Sequence, residues 1–348
     1  MSEGGARLAR LQLHPYAIPL LRPWKCARGD TLLRRGWLVR VEDRDGAHGW
    51  GESAGLPGAG TETPELAAEM LAAAVAQWPG LAPDTARERL PGRNRPAARC
   101  GLECALLDLA ARREGLPLYR YLRPEATPEV AVNAFLGAVD ENLGTRLASA
   151  GDAGFRVAKL KLATAPIEEE LPQFFAALER LPGGLALRLD VNRGWSTAQA
   201  EATLPRFAGL PIEAIEEPAS DADAAALERL QAMVGFSLAL DESLAAWPDE
   251  GPLPVRRQIL KPMVVGGPSR VFTLAARPAT ESIVTSSLDT AVGLWWSAHL
   301  GAALGNGLAH GLDTASWLST LLGPVPPVTA GILRLSDAPG LGFDPELP

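Results

Sequence analysis

Six charged residues, in the order Lys159, Lys161, Asp190, Glu216, Asp241 and Lys261, punctuate five short apolar runs: VAKLKLA, LRLDVNRGWS, IEAIEEP, SLALDES and QILKP. The three acids are spaced 216 − 190 = 26 and 241 − 216 = 25 residues apart, about one strand plus one helix each. In a parallel β/α array, groups at the carboxyl ends of strands share one mouth. Three carboxylates meeting there would repel one another unless a cation sat among them. An oxygen-only donor set suits a hard divalent ion, Mg²⁺, with Mn²⁺ as a substitute. Lysines flank the acids in sequence. A metal with opposed lysines suits removal of a proton α to a carboxylate: the ion takes up the charge of the enediolate while an amine removes the proton.

The lysines themselves carry information. Of 33 basic residues only Lys25, Lys159, Lys161 and Lys261 are lysines. Arginine stays charged at any accessible pH, whereas an amine can be made to titrate. Taken alone, Lys159-Leu-Lys161 reads as a solvated strand edge; the scarcity of lysine and the acids downstream reverse that reading. Residues two apart on a strand share a face, and two neighbouring ammonium groups repel, which lowers the pKa of one. Glu216 gives even spacing, although only strand register decides between Glu216 and Glu217. Asn192 shares the face of Asp190, and Glu242 and Ser243 lie beside Asp241. Lys261 either pairs with a carboxylate of the set or faces a substrate from the side opposite Lys161. His14, His48, His299 and His310 fall away from these strand ends and read as structural.

These runs need a scaffold. Residues 8–52 are strand-like with a hairpin turn at Asp45-Gly46; the Gly-rich loop Gly55–Thr63 leads into the helix PELAAEMLAAAVAQW, and a second helix spans roughly Ala97–Glu114. Eight strands follow, predicted at Val130–Gly137, Arg156–Ala163, Ala186–Asn192, Ala214–Glu217, Ser237–Asp241, Gln258–Lys261, Ser282–Ser286 and Leu308–Leu312, with helices between. The expectation is an α/β protein with an α+β cap over residues 1–125, a closed barrel over 126–324, and a tail, about 325–348, returning to the cap. Apolar residues at 47% and charged residues at 21% are ordinary for a globular chain. The net charge of −8 argues against nucleic acid as a partner. Cys26, Cys100 and Cys104 lack zinc spacing. No apolar run is long enough for a membrane span and no signal-peptide pattern opens the chain, so the cytoplasm is the expected compartment. The oligomeric state is left open.

At these residues the chain resembles the enolase superfamily, and its K-x-K, D-x-N, E-E-P, D-E-S and final strand-end lysine resemble the muconate-lactonizing-like subgroup. That resemblance implies a (β/α)7β modified TIM barrel with an N-terminal α+β capping domain. GWGES with GLPGAGTET, LRLDVNRGWS, ILKPMVVGG, TSSLDTAVG (285–293) and HGLDT (310–314) are similar to the o-succinylbenzoate synthase family. This implies a Mg²⁺-dependent syn dehydration of SHCHC (2-succinyl-6-hydroxy-2,4-cyclohexadiene-1-carboxylate) to o-succinylbenzoate, a step of menaquinone biosynthesis. Asp190, Glu216 and Asp241 would hold the metal. Lys161 would remove the α proton and protonate the departing hydroxyl, Lys261 would face the ring as a cation, and Lys159 would help hold the substrate carboxylate. Asn192, Ser286, Ser287 and Gly311 would contribute to substrate binding, with Gly55–Thr63 closing over the pocket. Where relatives often carry an aromatic, this loop ends G-A-G-T, which bears on substrate fit. Gly311-Leu312-Asp313 stands where dipeptide epimerases have Asp-x-Asp. The rival activity is an N-acylamino-acid racemase, and a rival of another class is a non-catalytic metal-binding barrel.

Overall fold

The computed structural model describes residues 6–24 and 31–348; Lys25 and Cys26 lie outside the described residues. Strands β1 (Leu8–Trp24) and β2 (Thr31–Asp43) pair antiparallel, and β2 turns back into β3 (His48–Ser53). The hairpin at Asp45-Gly46 forms because Asp43 Oδ1 accepts the amides of Asp45 and Ala47, while Gly46 supplies the left-handed φ of 87°. Helices α1 (Pro64–Gln77), α2 (Pro83–Glu88), α3 (Pro96–Arg113) and α4 (Leu118–Leu122) follow. Helix α3 lies directly on β3. A Cβ on Gly51 would collide with the Gly101 carbonyl, which is why GWGES alternates glycine toward the helix.

The second layer is a parallel sheet, β5 (Ala134–Ala138), β6 (Val157–Lys161), β7 (Ala186–Asp190), β8 (Ile212–Glu216), β9 (Ser237–Leu240), β10 (Arg257–Leu260) and β11 (Glu281–Val284), paired in sequence order. Its crossover helices include α5 (Leu143–Asp152), α6 (Ile167–Ala177), α7 (Thr197–Thr203), α8 (Ala224–Ala232), α9 (Pro262–Val265), α10 (Pro268–Ala275) and α11 (Ala291–Leu304). Outward residues such as Leu160, Leu187, Leu189, Ile215 and Leu238 pack under those helices. Inside, Ala239, Ile259 and Ile283 form a small apolar cluster, because the other inward positions carry charge. Thirteen of the fourteen residues of α11 are buried; wedged between α4, β3 and β11, this helix is apolar all round rather than on one stripe.

Two expected strands differ. Val130–Gly137 is not one strand: β4 (Glu129–Ala131) pairs antiparallel with β13 (Ile332–Arg334), itself paired with β12 (Val328–Thr329), and the barrel strand β5 begins only at Ala134. The break marks a change of partner, which begins at Val132: its amide still donates to Gly331 although the residue already bridges His310, whereas the amide of Asn133 donates to His310. Leu308–Leu312 shrinks to single bridges, His310 to Val132 and Gly311 to Thr285, and these close the barrel. A Cβ on Gly311 would sit 2.7 Å from Thr285 Cγ2. The Ala309 carbonyl accepts from the Arg188 guanidinium instead of extending the ladder.

Buried acids serve helix starts, where the first amides have no partner within the helix, and one of them joins cap to barrel. Within the cap, Glu62 accepts the amides of Ala97 and Ala98 at the start of α3. From β3, Glu52 accepts the amides of Thr290 and Gly293, the Thr290 hydroxyl at 2.7 Å, and the Tyr16 hydroxyl. Replacing Glu52 by Ala strands these donors in a dry interface. The expected loss is about 3–5 kcal/mol, read as a lower denaturant midpoint in equilibrium unfolding.

Candidate active site

Parallel pairing sets Lys161, Asp190 and Glu216 side by side: Lys161 pairs with Asp190, and Asp190 with Glu216. Glu216 in turn pairs with Ala239, so Asp241 lies two residues further along β9's direction. In sheet order β6 and β10 stand on either side of β7, β8 and β9, which puts lysines on both flanks of the acids. Register sets the two adjacent glutamates apart. Glu216 ends β8 on the face of Asp190, whereas Glu217, with φ 48°, turns away, its Oε1 accepting the amides of Asp241 and Ser243 and the Ser243 hydroxyl. Ala163, Asn192, Arg193 and Glu217 all take left-handed φ just past the ends of β6, β7 and β8. Such backbone persists only where its surroundings enforce it, and it clusters at functional sites.

Lys159 contacts both Glu216 and Asp190, the latter at 2.9 Å, and Lys261 donates to Asp241 Oδ2 at 2.6 Å. Burial alone would discharge Lys159, yet Asp190, Glu216 and Asp241 outweigh it and hold its pKa above the ordinary amine value. The expected lowering by lysine–lysine repulsion therefore does not govern Lys159. Lys261 is raised in the same way: burial opposes, Asp241 prevails. Burial pushes Asp190 upward, but Lys159, Lys161 and Lys261 carry it below the usual carboxylate range. Glu216 goes the other way. Burial raises it, and the charges of Asp190 and Asp241 add to that against Lys159 and Arg188. Glu242 is pushed up to about 7 by burial, then by Asp241 and Glu217.

Among the described residues no three acidic, histidine or cysteine side chains close into a metal cluster; ammonium groups lie against the acids instead. The donors nonetheless fit a hard divalent cation. They are three carboxylates on adjacent strands, each under a tenth exposed, and Glu216 Oε1 is buried with no hydrogen-bond partner among the described residues. Asp190, Glu216 and Asp241 are the residues that would hold the ion.

Asn192 is exposed, and its backbone amide donates to Asp190 Oδ1 at 3.1 Å. Ser286 Oγ lies 2.7 Å from Thr314 Oγ1, and the Ser287 amide donates to Asp289. Gly311 bridges Thr285 at the barrel seam. Cavities of about 240 and 300 Å³ both include Asp313 in their walls, and neither is lined by the three acids.

Sequence reasoning missed the floor beneath the acids. Arg188, fully buried two residues before Asp190, forks onto Glu213 at 3.0 and 3.1 Å, donates to Asn133 Oδ1, and lies 3.9 Å from Glu216. Arg257 ties Glu213 to Glu281. The available signal was period two: in LRLD the arginine shares the face of the aspartate.

Two of the histidines, His299 and His310, are held by backbone amides. Nδ1 of His310 accepts the Val284 amide at 2.9 Å and Nδ1 of His299 accepts that of Tyr119 at 3.1 Å. Burial drives both to about 3. Since the folded pKa lies below the unfolded 6.5, the stability these neutral rings contribute is complete above pH 6.5 and is lost as pH falls toward 3. In ¹⁵N NMR, both imidazoles are expected to keep neutral-ring shifts at pH 5.

Comparison with known proteins now places this arrangement. A profile described as enolase C-terminal domain-like matches residues 143–347, and one described as MenC, N-terminal domain, matches 8–109. The chain is 34% identical to the o-succinylbenzoate synthase of Thermosynechococcus vestitus over 255 residues, 70% of this chain and 73% of that one. It is 25% identical to the L-Ala-D/L-Glu epimerase of Bacillus subtilis over 337 residues, 90% of each. The crystal structure of a dipeptide epimerase from Enterococcus faecalis, complexed with Mg and L-Leu-L-Tyr, superposes with a TM-score of 0.83 at 23% identity, covering 97% of this chain and 99% of that one. That likeness shows the shared (β/α)7β barrel and cap. With a family profile over more than half its length and the whole architecture in common, the chain belongs to the enolase superfamily.

Proposed function

We propose that this enzyme is an o-succinylbenzoate synthase, removing water from SHCHC in menaquinone biosynthesis with Mg²⁺ as cofactor. The observation that carries the reading is the lysine of β6 in register with Asp190 and Glu216, answered by Lys261 at the far flank, just past the end of β10. The MenC N-terminal profile and the synthase relative favour dehydration over epimerisation.

Mg²⁺, when bound by Asp190, Glu216 and Asp241, supplies the positive charge that stabilises the substrate carboxylate as its α proton leaves. Lys161, beside that group, removes the proton and returns it to the departing hydroxyl, which leaves as water. Lys159 is held cationic by the acids and serves to orient the substrate carboxylate rather than to take a proton. Lys261, held by Asp241, presents its charge to the ring. Ser286, Ser287 and Gly311 would border the succinyl arm, and Asn192 the rim.

A second reading, an N-acylamino-acid racemase, draws support from the epimerase relative and from lysines on two flanks, which can serve opposite faces of one enolate. Incubating the Mg²⁺-loaded protein in D₂O with SHCHC, and separately with N-acylamino acids, distinguishes the two. The expected result is o-succinylbenzoate formation that EDTA abolishes. Deuterium uptake by an acylamino acid with no dehydration of SHCHC would overturn the proposal.

A further inference from the structure

Arg34 lies on β2 of the cap and is 1% exposed, yet its contacts belong to three other segments. Its Nε donates to the Leu288 carbonyl at 2.9 Å, in the barrel loop that carries Ser286 and Ser287. Its Nη1 and Nη2 donate to the carbonyls of Gly55 and Ala54 at 2.9 and 2.8 Å, at the root of the Gly55–Thr63 loop. Nη2 also lies 3.5 Å from the sulfur of Met263, two residues beyond Lys261.

The barrel loop is itself under constraint. Leu288 has φ 61°, a conformation that a leucine holds only when its surroundings enforce it. The next residue, Asp289, accepts the Ser287 amide with Oδ2 and places Oδ1 3.9 Å from the Arg34 guanidinium. A planar guanidinium offers five donors in fixed directions, so it can hold carbonyls on opposite sides at once. An ammonium donates from one point and cannot span them.

We infer that Arg34 is a positioning residue that locks the cap loop Gly55–Thr63 and the barrel loop 285–290 into one unit, so that a substrate's distal arm meets both at a fixed spacing. This rests on the reading above that these two loops face the substrate. Arg34 does not touch the reacting atoms; it acts through the backbone of residues that border them.

Hydrogen–deuterium exchange of the intact protein tests the coupling without any substrate. Arg34→Met and Arg34→Lys are both expected to raise exchange in peptides covering residues 54–63 and 285–293 together, by roughly 10-fold, with β6–β8 unchanged. Steady-state kinetics supplies a readout that a merely structural role would not move: in both variants KM for SHCHC rises about 10-fold or more while kcat changes far less. Faster exchange in only one loop, or loosening of both with unaltered KM, overturns the inference. Arg34→Lys keeps the charge and decides the matter if Arg34→Met does not fold. Should the wild-type protein not turn over SHCHC, the functional proposal fails by itself, and the exchange of the two loops alone judges Arg34.

Discussion

Replacing Lys161 by Ala is expected to lower the rate of SHCHC dehydration by roughly 10²–10⁴-fold, the range for loss of a positioned acid–base group. The lysine is only partly buried and projects from the end of β6 toward the Asp190 side, so its removal leaves no cavity. Thermal unfolding and metal binding are expected to stay near wild type. Lys161→Arg should be as inactive as the alanine variant, since a guanidinium keeps its proton at any working pH. Stopped-flow measurement of ring aromatisation, beside circular dichroism of each variant, checks both statements. Residual activity within a few-fold of wild type would remove Lys161 from the chemistry.

Glu216→Gln is expected to weaken Mn²⁺ binding by more than about 100-fold, beyond the 10–100-fold typical of groups one layer further out. The side chain is fully buried, touches Lys159, and feels Asp190, Asp241 and Arg188. An amide of the same shape cannot replace its charge. Glu217→Gln is the matched control. It disturbs hydrogen bonds to Asp241 and Ser243 but leaves the inward carboxylate in place, so its Mn²⁺ affinity should fall far less. Electron paramagnetic resonance titration with Mn²⁺ reads both. Equal losses in the two variants would mean that register does not select the ligand.

The parts of the fold legible in the sequence were those dictated by local pattern. Apolar runs ended by Lys161, Asp190 and Glu216 end as strands at those residues. Helix α11 begins directly after Thr290, which stands at its N-cap. What was not legible depended on partners distant in sequence. Nothing within VAVNAFLG reveals that its first half pairs with Ile332–Arg334. Nothing near GWGES reveals that Glu52 serves a helix some 240 residues later. The electrostatics of Lys159 were hidden for a related reason. Its neighbour in sequence is an amine, but its neighbours in space are acids.

Where the eighth strand contracts to His310 and Gly311, the hoop of the barrel is fastened by four backbone links: Asn133 to His310, His310 to Ala131, Gly311 to Val284 and Ser286 to Gly311. Every other joint between staves is a ladder of paired residues. Under tension or mild denaturant this clasp is the place for the cylinder to unbuckle first, and the stave beside it leads straight into Ser286 and Ser287. The protein's thinnest fastening and its prospective grip on substrate thus share one strand end.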